Sequence, residues 1–411
     1  MGVILNPEQE EALQFLKSDG NVFLTGAAGT GKSFLIREYL KTKASKTPIV
    51  ASTGAAAVIV GGCTFHSFFG LGILKGGVEK TVERALKDRR LVNRIADTKE
   101  VIIDEISMID PEAFYAAEQI CRYILNLDLP FGGLRIIAVG DFFQLPPIQK
   151  NQKSFWLFQT KTWASLYFHT INLKKIMRTE DKDFIEALNY IRQGECPQLV
   201  SDFFSKKKPK KKEDFEGTVL FGRRMHVEDF NRRKLDKIKS PVTTYKSKIT
   251  IKKKSNLTVE RVLSVSPLPE EISLKKGALV MIRKNHPFGH YVNGTLAHVD
   301  YLGVETIKVK TLGGTFIDFE KESFEILNAD GGLEATIENF PISLAWASTI
   351  HKAQGASIDI ISVDLAGLWE RGQAYVALSR AKSSKGLFVT NWDPRYIKSD
   401  ERVRAFYDSL D

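Results

Sequence analysis

Cysteine is scarce. The 411 residues hold three, Cys63, Cys121 and Cys196, odd in number and without metal-ligand spacing. That excludes a disulfide-stapled scaffold and a cysteine-ligated zinc site, and it fits a reducing, intracellular setting. Long apolar runs are also missing. No stretch reaches the roughly 18 uncharged apolar residues of a membrane span. Residues 1–16 are polar and acidic, without the basic and apolar regions of a signal peptide. Charge is plentiful: 59 Lys+Arg stand against 49 Asp+Glu, a formal net charge of +10. Hydrophobic residues make up 43% of the chain, which excludes a disordered polyelectrolyte. At about 150 residues per domain the length suits two or three domains. The basic balance permits a nucleic-acid partner without proving one.

The first half alternates short apolar runs with helical stretches. Residues 21–25 (NVFLT), 48–52 (PIVAS), 100–104 (EVIID) and 134–139 (LRIIAV) read as strands buried on both faces of a parallel sheet. Helices between them, such as 33–43, imply right-handed crossovers. A second half starts near Ile171, with strands expected at 219–222, 360–364 and 387–390. From about 275 to 340 the texture changes. Short β-rich runs broken by Asn293-Gly294 and Gly313-Gly314 suggest a small antiparallel, SH3-like barrel inserted in the second α/β domain. The fold class is therefore α/β, with domains at 1–170 and 171–411. The densest charge run, 206–212 (KKKPKKK), reads as a solvated loop, with a nucleic-acid contact as the sharper alternative.

Residues 26–33, Gly26-Ala27-Ala28-Gly29-Thr30-Gly31-Lys32-Ser33, match G-x-x-x-x-G-K-[ST] between an expected strand and helix. Gly26, Gly29 and Gly31 let the backbone curl its N–H groups inward onto phosphate oxygens. The helix N-terminus adds its dipole. Lys32 reaches the β- and γ-phosphates, and Ser33 offers a hydroxyl to Mg²⁺. Asp104-Glu105 closes the EVIID strand, where ligands of doubly wound sheets sit. Asp104 then holds Mg²⁺, and Glu105 is the candidate general base. Gln144, in GDFFQLPP at 140–147, is placed to sense the γ-phosphate or position water.

These strings in this order resemble the PIF-type DNA helicases of superfamily one, group B, with RecD-like helicases next nearest. LNPEQ at 5–9 resembles the Q motif, whose Gln9 reads adenine. ASTGAAA (51–57) and TFHSFFG (64–70) resemble motifs Ia and Ib, DEISM motif II, and GDFFQLPP motif III. The stretch Met108–Gly133, ending in PFGG at 130–133, is similar to the PIF-type signature insert. Leu173-x₄-Arg178 resembles motif IV, WASTIHKAQGAS (346–357) motif V and AYVALSRA (374–381) motif VI. Motif IV departs from its usual text by reading MRTED.

The resemblance implies two RecA-like domains with Mg-ATP between them. Lys32, Ser33, Asp104, Glu105 and Gln144 come from the first, and Arg178 and Arg380 act as arginine fingers from the second. Gly26, Ala28, Gly29, Thr30, Gly31 and Gly355 complete the nucleotide contacts. For single-stranded DNA it implies Thr53, Gly54, Thr64 and His66 in motifs Ia and Ib, and Pro146 beside motif III. Lys284 and His286 in the barrel, and Thr349 and His351 in motif V, complete that set. Phe65, Phe68 and Phe69 suit stacking or a core equally. Residues 71–97, with Lys and Arg on a helical pattern, are expected to form a wedge at the duplex fork.

The activity implied is ATP-driven 5′-to-3′ translocation with unwinding of duplex, forked and G-quadruplex DNA. Such activity serves DNA repair, recombination and telomere maintenance. The partners are single-stranded DNA and its junctions, with no membrane. A monomer is expected, with pairing of two copies on DNA as the alternative. The setting is the cytoplasm and nucleoid of a bacterium, or the nucleus or mitochondrion of a eukaryote. With so little chain after motif VI, no large C-terminal regulatory domain is expected. Two other readings stand beside this one: a RecD-like translocase that unwinds only within a partner complex, and an RNA-directed helicase of the same superfamily.

Overall fold

The computed structural model describes residues 5–410 except 44–46, 53–55, 58–61, 73, 75, 148–154, 208–214, 254, 256, 267, 269, 285, 287–289 and 328–332. The chain divides into two compact units. The first comprises Met1–Met177, Ile326–Glu334 and Ala405–Asp411, the second Arg178–Glu325 and Ala335–Arg404.

The first unit is built on a six-stranded parallel sheet. Its strands are β1 (Val22–Gly26), β2 (Ile49–Ala51), β3 (Cys63–Thr64), β4 (Glu100–Asp104), β5 (Arg135–Val139) and β6 (His169–Leu173), in the order β3-β2-β4-β5-β1-β6. β1 is buried along its whole length, as its unbroken apolar run requires of a sheet covered on both faces. Helices α1 (Pro7–Lys17) and α2 (Lys32–Lys41) give Ala12, Leu16, Leu35, Ile36 and Tyr39 to a core shared with Val22, Leu24, Ile102, Ile137 and Val139. Asn6 and Gln9 form a reciprocal cap at the start of α1, behind Pro7 at its first position.

At the amino ends of the strands lies a buried ionic knot. Glu100 accepts from Tyr39 Oη (2.9 Å), Thr47 Oγ1 (2.9 Å), Lys43 Nζ (2.9 Å) and Arg135 Nη1 (2.7 Å). Burial alone pushes the Glu100 carboxyl up, but the bonds from Lys43, Tyr39, Thr47 and Arg135 outweigh it and hold its pKa below the ordinary value. Arg135 also donates to Leu16 O (3.0 Å) and Gly20 O (2.6 Å), tying the end of α1 to the sheet.

Between β3 and β4, helices α3 (Gly77–Leu86) and α4 (Arg89–Asp97) occupy the stretch expected as a wedge. Two of its arginines are tied to main-chain carbonyls: Arg84, an exposed residue, donates through Nη2 to Leu71 O (2.8 Å), and the half-buried Arg94 through Nη2 to Phe68 O (2.7 Å). Phe65, Phe68 and Phe69 are core residues, at most 1% exposed, so stacking on a base is not open to them.

Two expectations shift. Ile171 pairs with Leu24 of β1, so it belongs to the first sheet, and the first unit runs on to Met177. β6 was not among the strands expected. Residues 405–411, expected with the second half, group with the first unit.

The second unit has a four-stranded parallel sheet of β7 (Thr218–Phe221), β8 (Ala347–Thr349), β9 (Ile361–Asp364) and β10 (Leu387–Thr390), ordered β8-β7-β9-β10. Four strands of the stretch expected as a barrel, with a fifth just beyond it, form an antiparallel sheet. Its order is Phe316–Glu320, Thr306–Thr311, Leu296–Leu302, Leu279–Ile282, Ile342–Leu344. Asn293-Gly294 forms the expected tight turn, with Thr295 N donating to Val292 O (3.0 Å) and Gly294 at φ 102°. A Cβ at Gly294 would come 2.5 Å from Ser357 O, so glycine lets this turn touch motif V.

Candidate nucleotide and nucleic-acid sites

β1 delivers the phosphate-binding loop to the carboxyl edge of the first sheet. Gly26, Gly29 and Gly31 all adopt positive φ, at 145°, 87° and 93°. Gly31 caps α2 without a side-chain bond, so an anion can approach the first amides of the helix. Thr30 Oγ1 braces the loop on Ala27 O (3.0 Å), beside the buried Ala28. Lys32 Nζ lies over the loop, on Gly26 O (2.7 Å) and Ala27 O (3.1 Å). Gln9 is 3% exposed and its amide donates to Thr30 O (3.4 Å). A Cβ at Gly31 would meet that amide at 2.7 Å, so the expected adenine reader and the loop fit only through glycine.

β5 lies between β1 and β4, so motif III leaves the sheet between the loop and the Asp104-Glu105 pair. Gly140 makes the close approach: a Cβ there would come 3.0 Å from Ile106 N. Glu105 takes a left-handed backbone (φ 51°, ψ 48°), a costly conformation for a non-glycine residue and one found at functional sites. Its N–H donates to Asp104 Oδ1 (2.9 Å). Burial and the Glu105 carboxylate push Asp104 up to about 7, against the pull of the Glu105 N–H and the Lys32 ammonium. A carboxylate so placed is relieved by a divalent cation, and with the exposed Ser33 hydroxyl it makes the hard-oxygen donor set of Mg²⁺. Gln144 is 6% exposed, in the turn closed by its N–H on Asp141 O (2.9 Å).

One residue here carried no sequence signal. Tyr407, on the C-terminal helix α5 (Glu401–Asp408), shares a hydrogen bond of 2.6 Å with Thr25 Oγ1, next to Gly26. Its hydroxyl also accepts from Phe142 N (3.2 Å) and donates to Asp141 Oδ1 (3.4 Å). Its ring stacks on Phe143 at 4.8 Å. Phe406 stacks on Phe158 at 4.3 Å. The last described turn of the chain thus joins motif III to the strand that carries the phosphate loop.

In the second unit, Arg178 and Arg380 lie together. Arg178 Nη1 donates to Ser379 O. Arg380 is 2% exposed, with Nε on Val376 O (2.9 Å) and Nη2 on Ser379 Oγ (2.8 Å). Burial and the neighbouring Arg380 guanidinium push Arg178 down to about 9. Two like charges side by side, Arg380 buried and Arg178 half-buried, favour an anion, and burial takes Arg380 off the helix surface. In the first unit, Met177 N donates to Gly29 O (2.8 Å), one residue before Arg178.

The expected DNA contacts divide. Thr53 and Gly54 lie outside the described residues, as do 208–212 of the lysine run. Lys207 donates to Ser384 O (2.9 Å) and lies 4.9 Å from the Phe203 ring, part of the second unit's packing. Thr64 and Thr349 end the edge strands β3 and β8, and each caps a one-turn helix, accepting from Ser67 N (3.2 Å) and Lys352 N (3.1 Å). His66 and His351 sit two residues on, both half-buried. Burial lowers the His351 pKa, favouring the neutral ring. Pro146 is half-buried and Gly355 is exposed at φ 76°. Lys284 is ion-paired with Glu322, so a phosphate there has to compete with that carboxylate. His286 stands 4.5 Å from the His290 ring, and burial with the His290 and Lys284 charges lowers its pKa.

A family model described as PIF1-like helicase matches residues 4–202. The chain is 44% identical to the ATP-dependent DNA helicase Pif1 of Bdellovibrio bacteriovorus over 408 residues, covering 99% of this chain and 92% of that one. It is 34% identical to the ATP-dependent DNA helicase PIF1 of Xenopus laevis over 413 residues, 99% of this chain but 64% of that longer protein. The Bacteroides sp Pif1 structure in complex with ADP-AlF4 matches with a TM-score of 0.87 at 28% identity, covering 100% of this chain and 97% of that one. The structure of Bacteroides Pif1 bound to ssDNA matches with a TM-score of 0.69, covering 99% and 97%.

Proposed function

Because the chain belongs to the PIF1-like helicase family and is an ATP-dependent DNA helicase, we propose that it moves 5′ to 3′ along single-stranded DNA and opens the duplex ahead of it. The observation that carries the chemistry is the split of charge: a phosphate loop with a carboxylate pair in the first unit, two neighbouring guanidiniums, one of them buried, in the second.

Gln9 reads the adenine, and the loop amides from Gly26 to Ser33 bind the phosphates. Lys32 leaves the carbonyls of Gly26 and Ala27 for the β- and γ-phosphates. Ser33 and Asp104 would hold Mg²⁺, which neutralises phosphate charge when bound. Glu105 takes the proton of the attacking water, and Gln144 orients that water. Arg178 and Arg380 stabilise the charge that develops on the γ-phosphoryl group. Gly355 links motif V to the nucleotide.

On the DNA side, Thr53, Gly54, Thr64, His66, Thr349 and His351 hold the strand by hydroxyl, amide and imidazole donors. Pro146, Lys284 and His286 are lesser contacts. The helices of 71–97 act as the wedge, through exposed Lys80, Lys87, Arg89 and Arg90, while Arg84 and Arg94 are engaged on main-chain carbonyls. The antiparallel strands of 275–340 form the barrel. Forked and G-quadruplex DNA are substrates within reach of this motor, acting as a monomer that pairs on DNA. No helix among the described residues is long and apolar enough to cross a membrane, and the bacterial cytoplasm is the place of work that the relatives suggest.

The test is unwinding of 5′-tailed against 3′-tailed duplexes by the purified chain, with and without ATP. Unwinding from the 5′ tail alone is expected. Unwinding only from the 3′ tail overturns the direction, and stimulation by RNA alone overturns the substrate.

A further inference from the structure

The carboxyl edge of the second unit's sheet holds a feature that lies in none of the nucleotide or DNA motifs. β7 ends at Phe221 and runs into Gly222-Arg223, while β9 ends at Asp364 and leads to Trp369. Trp369 is 51% exposed, a large apolar surface to leave in water. It is nevertheless held firmly. Its main-chain N–H donates to Oε1 of the fully buried Gln373 (3.2 Å), which also accepts from Glu370 N (3.3 Å). The outer edge of its indole lies on Gly222, where a Cβ would come 2.5 Å from Cζ3 and 2.9 Å from Cη2. Any larger residue at 222 would push the ring away. The exposed Arg223 guanidinium stands 5.1 Å from the ring centroid, a cation–π distance.

Strand register sets this pair beside motif V. Thr349 is level with Phe221, and Val363 with Leu220, so β8, β7 and β9 end side by side, about 4.8 Å apart. Trp369 and Arg223 therefore share an edge with Thr349 and His351.

We propose that Trp369 and Arg223 form a stacking platform for one base of single-stranded DNA, with the guanidinium serving the adjoining phosphate. The proposal rests on the DNA-translocase reading above. A rigid indole loses little entropy on stacking, and any base offers it a π-face, as sequence-independent movement requires. The cation on the ring and the shared edge with motif V favour a nucleotide over an apolar protein segment.

The experiment measures equilibrium binding of labelled oligothymidylate, and of an abasic strand of equal length, to the wild type, Trp369→Ala, Trp369→Phe and Arg223→Ala. Trp369→Ala is expected to weaken oligothymidylate binding about tenfold while leaving the abasic strand within about twofold, and Trp369→Phe to restore most of the loss. Arg223→Ala weakens both strands and lowers the salt slope by about one. Should Trp369→Ala melt early, tryptophan fluorescence of the wild type carries the test. Oligothymidylate is expected to quench it, the abasic strand much less, and Trp369→Phe to lose the difference. Equal oligothymidylate binding by the wild type and Trp369→Ala overturns the platform, and so does equal weakening on both strands, which would fit a protein-docking or packing role. Failure of the wild type to bind either strand overturns the DNA reading itself along with the platform.

Discussion

The two units mount different chemistry on the same kind of parallel sheet. Around the carboxyl ends of its strands the first gathers a glycine loop, Asp104, Glu105 and Asp141. The second gathers Arg223 and Trp369 at the same edge, and sets Arg178 beside the buried Arg380. One feature is shared. In each, a threonine at the end of an edge strand caps a one-turn helix with a histidine two residues on: Thr64 and His66, Thr349 and His351. The sheet is thus a common mount. What differs is the sign of charge in the loops, and what is common is a capped turn with its histidine, to which the proposed function gives two contacts on the strand.

The sharpest way to break this comparison is to remove charge from one unit at a time. Arg380→Ala is expected to lower ATP hydrolysis at saturating DNA about 10³-fold with ATP binding retained, measured as phosphate release and nucleotide titration. Normal turnover in that variant would end the division of labour. Lys32→Ala should cost about 10²- to 10³-fold in turnover and weaken nucleotide binding as well, separating loop from finger in the same two assays.

Arg135→Ala tests the first unit's frame. It leaves the buried Glu100 short of a charged partner and is expected to cost about 3 kcal/mol in chemical denaturation. Glu100 has a folded pKa below its ordinary value of 4.5, so its share of stability is present above that value and is lost as the pH falls through the folded pKa. Glu100→Gln should flatten that acid limb of the stability curve.

The smallest effects test the shared device. Thr64→Ala and Thr349→Ala should each cost about 1 kcal/mol, with serine restoring the cap. Both should weaken oligothymidylate binding to a similar degree, and a wide gap between them would show that the two grips are not equivalent.

The phosphate loop, the carboxylate pair and the longer apolar strand runs of both sheets were legible because each needs particular residue types at fixed spacing; β3, β6 and β8, short or half-buried, were not. Sheet membership was not: nothing in HTINL says that Ile171 joins β1. Nor was the fate of Phe65, Phe68 and Phe69, since an aromatic residue suits a core and a stacking surface equally until its neighbours are known. Lys284 read as a contact to the DNA strand, with no sign of its ion pair because Glu322 is far along the chain. Trp369 and Tyr407 left no local pattern, for one depends on a glycine and an arginine in a distant strand and the other on a threonine before the loop.

Tyr407 and Phe406 also set an order of events during synthesis. The sheet and loop of the first unit leave the ribosome early, yet the hydroxyl that joins Thr25 to motif III belongs to a residue made after the whole second unit. A nascent first unit can collapse around β1 and α1, but its phosphate site lacks that brace until the chain has been translated past residue 407. ATP binding by truncated nascent chains would therefore mature late, when the final helix docks.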